Sequence, residues 1–502
     1  MYRNRRELAA ITGSALLLNL AFPPFHLLVP SLVCLVPAIV TLERGNRDGS
    51  PARLQFRLGF WFGLVANALL LHWMAAALWR YQPWWILAFA AVVLWLASMC
   101  GAVFAAAGWL CRRTRLSVVV VFPVVWTAVE WLLAQQGPLA FTWLGLGTSL
   151  TGFPRLVQLA DLAGARGVTF LLAMANAALA VAWIQRRSHS RAARLVACVA
   201  IGGCAAWLYG GIRMGQLELR NMARVLVVQT AIPSHDKWSP GRSELVVGQA
   251  LELTRRALAQ RPDLIVWPET ALPGALLYHP EWEQAVGELA RRASAYLVVG
   301  GIDAVPSGRG LQQYNAAFLF DPGGRQTRAP YRKQRPVPLF EWGNGIMAGH
   351  RTMPYQTRGG GIGILICYEG TSEAMARQYR REGAGALVNL SNDAWFSAGT
   401  GAYQHAAHLV MRAIETRMGI ARATNRGLSE LVDPLGRIQQ QLAPGTAGAL
   451  SGSLGSTATI PLYVRLGDWV GQLSFGIALL LLGATLVCSV RDGKHSAPRT
   501  TS

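Results

Sequence analysis

The sequence predicts an integral membrane α-helical bundle of about eight spans that carries an extracytoplasmic α/β domain. Three observations predict this fold class. The 502 residues are 52% hydrophobic and only 15% charged, and their uncharged runs are long enough to cross a bilayer. Arginines cluster in the short loops between those runs. From residue 216 to 465, short apolar runs alternate with amphipathic helical patterns, as in water-soluble α/β domains.

The first predicted element is a membrane hairpin. No Asp, Glu, Lys or Arg occurs from Leu8 to Leu42, but Pro23 and Pro24 divide this run into two short spans. Apolar runs predict six further spans at about 58–79, 84–111, 116–134, 167–185, 195–211 and 469–490. These spans divide the chain into a transmembrane domain at 1–215 with an interfacial segment near 135–166, a soluble domain at 216–465, and a last span with its tail at 466–502.

The placement of arginine predicts the orientation. If eight spans alternate, the basic clusters that begin at Arg3, Arg44, Arg112, Arg186 and Arg491 all fall on one side. By the positive-inside rule this side is the cytoplasm, so both termini are cytoplasmic and the soluble domain faces the opposite side. The formal net charge of +21 thereby reflects membrane topology and requires no nucleic-acid partner.

One carboxylate interrupts the predicted spans. Glu130 lies in the run Trp126-Thr-Ala-Val-Glu-Trp131, and a carboxylate inside a membrane is costly unless it faces the protein interior. Two interpretations stay open at this point: a functional intramembrane group or a buried structural hydrogen-bonder.

The soluble domain alternates predicted strands with predicted helices. The strands are expected at 225–229, 264–267, 297–300, 318–320, 362–367 and 387–390, and the helices at 242–260, 281–294, 372–382 and 404–417. No Walker loop, no G-x-G-x-x-G after a strand and no H-E-x-x-H occurs. The sequence therefore lacks the motifs that usually indicate nucleotide binding or a zinc protease.

Three reactive side chains follow predicted strands. Cys367, the one cysteine of the soluble domain, ends the run that begins at Gly361, so it has no disulfide partner and no second thiolate for a metal site. Glu269 and Lys333 also follow extended runs, and open α/β sheets place their sites at strand ends. Only three of the 47 basic residues are lysines, so the chain uses arginine at nearly every other basic position. A requirement for a compact cation that can move or titrate would explain the lysine at position 333.

The three residue types suit nucleophilic acyl chemistry. A carboxylate can take the proton of a thiol, and an ammonium can stabilise the oxyanion that forms when a thiolate attacks a carbonyl. The sequence therefore predicts an enzyme in which Glu269, Lys333 and Cys367 act together.

These residues, in this order, resemble the nitrilase superfamily, whose members carry a Glu-Lys-Cys triad on a four-layer α-β-β-α sandwich. The matching motifs are Trp267-Pro-Glu269, Tyr331-Arg-Lys333 and Ile366-Cys-Tyr-Glu369. Seven predicted spans before this domain and one after it narrow the resemblance to the apolipoprotein N-acyltransferases. Other matching motifs spread over nearly the whole chain, at 22–25, 59–63, 126–131, 314–315, 391–396, 403–405, 412–416 and 422–425.

The resemblance implies a reaction at the periplasmic side of the bacterial cytoplasmic (inner) membrane. Cys367 takes an acyl chain from a membrane phospholipid as a thioester and passes it to the N-terminal α-amine of a diacylated apolipoprotein. Glu269 acts as base and acid, while Lys333 and a backbone N–H near Tyr368 stabilise the oxyanion. No metal, cofactor or obligatory oligomer is implied. Supporting or substrate-binding roles are implied for Glu341, Trp238, Tyr368, Glu369 and Asn315.

The chain departs from the family pattern beside the second glutamate. Arg335 stands where a histidine is usual, and Phe340 stands where a glycine is usual. The resemblance therefore leads us to expect altered geometry and pocket volume beside Glu341.

Three other functions stay open. A membrane-anchored carbon-nitrogen hydrolase, such as an amidase, would use the same triad with water as the second nucleophile. A transporter or lipid-binding protein would use intramembrane charges, of which Glu130 is the candidate. A cysteine-histidine peptidase would use His405 or His408, although histidines at helical spacing are also ordinary packing residues.

Overall fold

The computed structural model of the 502-residue chain describes residues 2–239, 241–308, 310–327, 329–337, 341, 345–350, 353–396 and 399–495. The described chain forms two compact units. The first holds the described residues of Met1–Leu159, Ala163–Leu208 and Asp468–Ser502, and the second holds Ala160–Leu162 and those of Tyr209–Gly467. The long apolar runs lie mostly in the first unit and the α/β pattern in the second.

Helices build the first unit. In chain order they are α1 (Tyr2–Ala21), α2 (Leu28–Val33), α3 (Val36–Arg47), α4 (Ala52–Leu70), α5 (His72–Tyr81), α6 (Ile86–Thr114), α7 (Val118–Ala134), α8 (Ala160–Ile184) and α9 (His189–Gln216), and a last helix covers Trp469–His495. Short 3-10 turns at Gly137–Leu139 and Leu146–Leu150 lie between α7 and α8. The helices follow the predicted spans closely enough to support a membrane domain.

Five apolar segments of the described chain are long enough to cross a membrane: Leu28–Arg47, Pro83–Thr114, Ala160–Ile184, His189–Gln216 and Trp469–Val487. The pair α4 and α5 adds a sixth if its 56° bend lies within one span. The helix α7 is apolar but has 17 residues. The structure therefore supports a membrane domain of several spans without fixing their number.

The structure adds a break to two of the predicted spans. The span at 58–79 is divided at Leu71 into α4 and α5, where the His72 ring Nδ1 lies 2.7 Å from the Leu69 carbonyl oxygen and competes with the helical ladder. The helix α8 is broken at Gly164, whose φ of 68° and ψ of −178° are not helical, so its continuous part begins within a few residues of the predicted start at 167. Arg166 lies at this start, and its charge is balanced by Asp468 at 2.8 Å.

Glu130 acts as a structural hydrogen-bonder within the first unit. Its Oε2 accepts a hydrogen bond of 3.2 Å from the N–H of Leu146, and its Oε1 accepts one of 3.0 Å from the Thr169 hydroxyl. The carboxylate thereby satisfies backbone of the irregular segment after α7, which has no helical ladder of its own. These contacts fit the structural interpretation of Glu130.

Within the described residues of the second unit, twelve strands form two sheets of six. The first sheet has the order β12-β1-β2-β3-β4-β5 and the second the order β11-β10-β9-β8-β7-β6. The strands are β1 (Arg220–Gln229), β2 (Leu264–Val266), β3 (Tyr296–Ser307), β4 (Gly310–Phe320), β5 (Tyr331–Arg332), β6 (Tyr355–Thr357), β7 (Gly360–Ile366), β8 (Ala384–Ser391), β9 (Gly419–Thr424), β10 (Ser429–Val432), β11 (Ile438–Leu442) and β12 (Gly448–Ser456).

Both sheets share one pattern of pairing. From β12 to β5, and from β6 to β11, the successive pairs are antiparallel, parallel, parallel, antiparallel and antiparallel. Each parallel pair is joined by a helix, as parallel connections require. The domain therefore contains the same β-α-β-α-β unit twice, formed by β1, β2 and β3 in one sheet and by β7, β8 and β9 in the other.

Helices of the second unit cover the two sheets. In chain order the helices of this unit are α10 (Ser234–Lys237), α11 (Ser243–Ala257), α12 (Pro280–Ala293), α13 (Glu373–Arg381), α14 (Gly401–Thr416) and α15 (Leu462–Leu466). The last helix of the chain, in the first unit, is α16. The helices α11 and α12 contact the first sheet, α13 and α14 contact the second, and β1 and β12 contact β9 and β10 across the domain.

A buried apolar cluster joins α11 and α12 to the first sheet. It includes Leu226, Ile265, Trp267, Trp282 and Phe318. The two indoles also satisfy their N–H groups, since Trp267 donates to the Thr254 hydroxyl at 2.9 Å and Trp282 donates to Glu244 at 2.8 Å. This packing makes a rigid base for the segment that follows β2.

The predicted α/β domain is confirmed. Each of the six predicted strands and four predicted helices overlaps an observed one, although β1, β3 and β4 extend well beyond the expected bounds. The sequence did not reveal β6 or the strands from β9 to β12, and it indicated β5 only as the extended run before Lys333. Polar residues such as Arg422 and Glu430 break the apolar pattern there, yet both are fully buried.

Candidate active site

Glu269 lies three residues beyond the end of β2. The buried Trp267 ring and the restriction that Pro268 imposes on its neighbours fix the direction of the chain at this point. Thr270 then takes a positive φ of 48°, which turns the backbone sharply. Gly300 allows this turn, because a Cβ there would lie 2.4 Å from the Pro268 carbonyl oxygen. The carboxylate is thus positioned by backbone packing.

The two oxygens of the Glu269 carboxylate have different surroundings. Oε1 accepts a hydrogen bond of 2.6 Å from the Asn315 amide and lies 3.4 Å from the Lys333 Nζ. Oε2 is buried, and no donor among the described residues reaches it. A buried acceptor without a partner is costly in a folded protein. Oε2 is therefore available to accept a proton from a reacting group.

Lys333 follows the two-residue strand β5. Its N–H donates to the Asn315 carbonyl oxygen at 2.8 Å, and its own carbonyl accepts from Gly349 at 2.7 Å. The ammonium is 1% exposed and lies 2.8 Å from the Glu341 Oε2. Burial alone would lower the pKa of Lys333, but the Glu341 and Glu269 carboxylates outweigh it and hold that pKa well above its ordinary value. The lysine is a fixed, permanent cation.

Glu341 anchors that cation. Its Oε1 accepts from the Asn315 amide at 2.7 Å, and its Oε2 accepts from the N–H of Val337 at 2.6 Å. Although burial would raise the pKa of Glu341, the Lys333 ammonium outweighs it and lowers that pKa. Asn315, on β4, bridges the two carboxylates and keeps them apart, so both can contact one ammonium.

Cys367 follows β7 directly and has a positive φ of 52°, a strained conformation for a residue with a side chain. Burial and the nearby Glu269 carboxylate raise the pKa of Cys367, while the Lys333 ammonium opposes them. The resting thiol is therefore protonated, and its proton must pass to a base when the sulfur attacks. Its electrostatic neighbours place it with both other members of the predicted triad.

Glu369 acts as a tether between two loops. Its Oε2 accepts from the N–H of Ile366 and from the Tyr331 hydroxyl, both at 2.8 Å. Its Oε1 accepts from the N–H of Gln334 at 2.6 Å and of Arg335 at 3.1 Å. The carboxylate thus binds the segment after Lys333 to the segment before Cys367, rather than standing open to a substrate.

Of the two departures from the family pattern, the structure describes the one at Arg335. Arg335 contributes its main-chain N–H to Glu369, a contact that any residue other than proline can make. Replacement of the usual histidine therefore leaves this tether intact. The expectation for Phe340 lies outside the described residues.

Trp238 and Tyr368 are less enclosed than Glu269 and Lys333. Trp238, at the end of α10, is 48% exposed, so its ring remains available to an apolar ligand. Tyr368 is half-buried beside Cys367, and its carbonyl accepts from the Thr371 hydroxyl at 2.9 Å. Both lie in or next to short helical turns that follow sheet strands, at the edge of the predicted site.

Sequence reasoning missed Lys237. This side chain is 2% exposed, and its Nζ donates to the main-chain carbonyl of Glu269 at 2.9 Å. Burial lowers the pKa of Lys237 to about 7, although the Glu269 charge opposes the change. The scarcity of lysine singled out Lys237 as much as Lys333, and would have found it.

The two histidines do not support a cysteine-histidine peptidase. The His405 Nε2 lies 3.0 Å from the carbonyl oxygen of Cys367, so the ring faces its main chain, and the base beside the thiol is Glu269. His408 lies buried one turn further along α14. A histidine that accepts the thiol proton has to reach the sulfur.

The described site can carry out acyl transfer through a thiol. It holds a nucleophile, an available carboxylate oxygen and a fixed cation at the ends of β7, β2 and β5. No group of three or more His, Cys, Asp and Glu side chains among the described residues is arranged to hold a metal ion. The thiol, the carboxylate and the ammonium themselves offer acid-base and nucleophilic chemistry.

Two family models match the chain. One described as the apolipoprotein N-acyltransferase N-terminal domain matches residues 14–178, and one described as carbon-nitrogen hydrolase matches residues 224–461. Together they cover both the apolar part and the α/β part of the sequence.

Several curated relatives match over nearly their whole length. The apolipoprotein N-acyltransferase of Geobacter metallireducens is 30% identical and covers 92% of both chains. That of Gloeobacter violaceus is 30% identical over 98% of this chain and 97% of its own. That of Chlorobaculum tepidum is 27% identical over 95% and 96%. A solved amidase from Nesterenkonia sp. is 21% identical, covers 50% of this chain and 95% of its own, and has a TM-score of 0.40.

Proposed function

This chain belongs to the apolipoprotein N-acyltransferase family, and we propose that it transfers a fatty acyl chain from a membrane phospholipid to the N-terminal α-amine of a diacylglyceryl-cysteine apolipoprotein. It is an acyltransferase of the bacterial membrane. The observation that carries the detailed proposal is the Glu269 carboxylate, with one oxygen held by Asn315 and Lys333 and the other available beside the thiol.

The first half of the reaction forms a thioester. As the Cys367 sulfur attacks the ester carbonyl of the phospholipid, the Glu269 Oε2 accepts the thiol proton and a C–S bond forms. Collapse of the tetrahedral intermediate breaks the C–O bond, and Glu269 returns the proton to the departing oxygen. A lysophospholipid leaves, and Cys367 holds the acyl chain.

The second half consumes the thioester. The α-amine of the apolipoprotein attacks the thioester carbonyl, Glu269 accepts a proton from the nitrogen, and a C–N bond forms. The C–S bond then breaks, and the proton returns to the Cys367 sulfur. Because the phospholipid ester supplies the acyl group already activated, the sum of the two steps needs neither water nor a cofactor.

The developing oxyanion needs donors in both halves. We assign this role to the Lys333 ammonium, whose charge acts on the Cys367 thiol, and to the backbone N–H of Tyr368, the residue that follows the nucleophile in the chain. Glu341 and Asn315 hold Lys333 and Glu269 in place. Glu369 holds the two loops together. Trp238, half of whose surface is exposed, is assigned to the acyl or peptide substrate.

The proposed topology places this chemistry at the outer surface of the membrane. We assign eight spans, with residues 1–215 as the transmembrane domain, 216–465 as the catalytic domain and 466–502 as the last span and tail. The basic loops support cytoplasmic termini and a periplasmic catalytic domain. The helix and sheet contacts support a four-layer α-β-β-α arrangement. Both substrates are lipids, so a domain tied to the membrane at both ends keeps the thiol near them.

Product analysis tests the proposal. Purified protein is given phospholipid with a labelled acyl chain and a diacylglyceryl-cysteine lipopeptide. We expect N-acylated lipopeptide and lysophospholipid in equal amounts, both absent with Cys367→Ala. Lysophospholipid with free fatty acid and no N-acylated lipopeptide would instead identify a hydrolase, and the transferase proposal would fail.

A further inference from the structure

We propose that His405 is a positioning residue: by holding the carbonyl oxygen of Cys367, it orients the Cys367–Tyr368 peptide so that the Tyr368 N–H faces the acyl oxyanion. The inference rests on the proposed function, since it concerns the oxyanion formed in both halves of the transfer. It gives a role to a buried histidine on α14 that lies outside the Glu-Lys-Cys triad.

The contact itself is buried and specific. The His405 Nε2 lies 3.0 Å from the Cys367 carbonyl oxygen, and the Asn389 amide, on β8, lies 3.5 Å from the same oxygen. Both side chains are fully buried. A carbonyl that accepts from two buried side chains has little freedom to rotate, since any rotation would leave buried donors without an acceptor.

Because the peptide is planar, the contact to the Cys367 carbonyl also sets the direction of the Tyr368 N–H. The Cys367–Tyr368 peptide is trans, and a trans peptide is planar, with its C=O and N–H pointing in opposite directions. With the carbonyl directed towards α14 and β8, the Tyr368 N–H is directed away from them. Fixing the oxygen therefore fixes the direction of the hydrogen, although His405 itself never touches the reacting atoms.

The surroundings of His405 select the tautomer that this role needs. Burial and the Arg422 guanidinium lower the pKa of His405, with Asp393 opposing them, so the ring is neutral. The His405 Nδ1 lies 3.1 Å from the Arg422 Nη2 and 3.2 Å from the Asp393 Oδ1. Because the Cys367 carbonyl oxygen can only accept, Nε2 carries the hydrogen of that contact. In the neutral ring Nδ1 is then the acceptor for Arg422, which Asp393 also holds at 2.6 Å.

The strained backbone of Cys367 explains why its carbonyl oxygen needs the hydrogen bond from His405. A non-glycine residue at a φ of 52° is strained by roughly 1–2 kcal/mol. Without an external contact the turn can relax, and the peptide plane then rotates away. The hydrogen bond from His405 opposes that relaxation at the one peptide where orientation affects the chemistry.

Two reactions of the same thiol test the proposal. Thioester formation from phospholipid passes through an oxyanion, whereas alkylation by iodoacetamide displaces iodide at an sp³ carbon and forms none. Both need the thiol to lose its proton to the same base. For His405→Ala we expect thioester formation to slow by about 10- to 100-fold, with alkylation of the Cys367 peptide within twofold of wild type.

Matched variants separate positioning from folding. His405→Gln places an amide N–H close to the position of Nε2 and is expected to recover most of the lost rate, whereas His405→Asn is too short to do so. His408→Ala removes a buried histidine from the same helix and is expected to keep both rates, with the thermal midpoint as a check of folding.

The outcomes are distinct. Equal losses of thioester formation and alkylation in His405→Ala would show a general structural role and overturn the inference, as would an unchanged thioester rate. Absence of a thioester in the wild-type protein would instead count against the proposed function.

Discussion

At the residue scale, the site is built from buried charges that constrain one another. Lys333 lies between the Glu269 and Glu341 carboxylates at 3.4 and 2.8 Å, and Asn315 donates to both carboxylates. This arrangement leaves the Oε2 of Glu269 without a donor among the described residues. Removing one buried charge leaves another uncompensated, which costs several kcal/mol. A substitution at one of these residues is therefore expected to change both the activity and the free energy of unfolding.

Lys333→Arg is expected to lose most activity although the charge is kept. The planar guanidinium is larger than the ammonium and cannot occupy the same enclosed place between two carboxylates. We expect the rate of thioester formation to fall by about 10²- to 10³-fold, measured by mass spectrometry after rapid mixing with phospholipid. The same change at Lys494, in α16, serves as the control. A rate within twofold of wild type would remove Lys333 from the oxyanion site.

Lys237→Met is expected to stabilise the protein in a pH-dependent way. The folded-state pKa of about 7 lies below the ordinary value of 10.5. Between those pH values the unfolded chain binds more protons than the folded chain, so the contribution of Lys237 to stability rises with pH. Below pH 7 the full cost of burying the ammonium applies.

The thermal unfolding midpoint in detergent measures this effect. The increase caused by Lys237→Met should be largest near pH 6 and should shrink towards pH 10, while Arg256→Met, at an exposed site on α11, should show no such trend. A pH-independent increase would indicate that Lys237 is not titrating in this range.

At the element scale, strand ends and the turns after them place the reactive groups. The same β-α-β-α-β unit occurs in both sheets, and the residues after β2 and β7 contribute the base and the nucleophile. The backbone takes a positive φ at Thr270 and at Cys367. The elements thus supply a rigid frame, and two strained turns bring the side chains to its edge.

Gly300→Ala tests this frame. A Cβ at this position of β3 would lie 2.4 Å from the Pro268 carbonyl oxygen and 2.7 Å from the Glu269 Cα, so the base must shift. We expect kcat to fall by about 10²-fold with KM for phospholipid little changed. The control is Gly248→Ala, on an exposed face of α11 where a Cβ meets nothing within 4 Å. Full activity of Gly300→Ala would mean that the turn tolerates displacement of Glu269.

The sequence predicted the elements that carry the triad but not the second half of the second sheet. Apolar runs end directly before Glu269 and Cys367, so periodicity was sufficient there. Arg422 and Glu430 break that periodicity in β9 and β10, yet they are buried because Arg422 pairs with Asp393 and Glu430 accepts from Gln441 at 3.0 Å. Such pairing depends on contacts between distant segments, and a single sequence does not reveal those.

The sequence also left the contacts within the active site unpredicted. The scarcity of lysine directed attention to Lys333, and the motif around Cys367 directed attention to the nucleophile. The tethering role of Glu369 and the contact between His405 and Cys367 depend on main-chain atoms. Because main-chain contacts leave no residue-type signature, sequence reasoning could name Glu369 only through resemblance and could not give its geometry.

At the scale of the whole molecule, the sequence joins an apolar helical unit to an α/β unit with buried charges. The α/β unit alone offers the chemistry of a carbon-nitrogen hydrolase. The near full-length relatives, however, are named for transfer to an apolipoprotein. In the proposed function, attachment of the α/β unit to the membrane accounts for this difference, because both substrates are lipids.

Cysteine labelling tests the proposed orientation. In a variant without native cysteines, Gln284→Cys on the exposed face of α12 is expected to react with a membrane-impermeant maleimide in spheroplasts. Ser188→Cys, exposed in the basic loop between α8 and α9, is expected to react only after the membrane is permeabilised. The reverse pattern would place the catalytic domain in the cytoplasm and contradict the positive-inside assignment.

The thioester on Cys367 can be tested directly by the intact mass of the protein after incubation with phospholipid alone. We expect a single added acyl chain on Cys367, removed by hydroxylamine, absent in Cys367→Ala and transferred in full when the diacylglyceryl lipopeptide is added. N-acylation of the lipopeptide by Cys367→Ala, or by wild-type protein that never carries an acyl group on Cys367, would contradict this expectation.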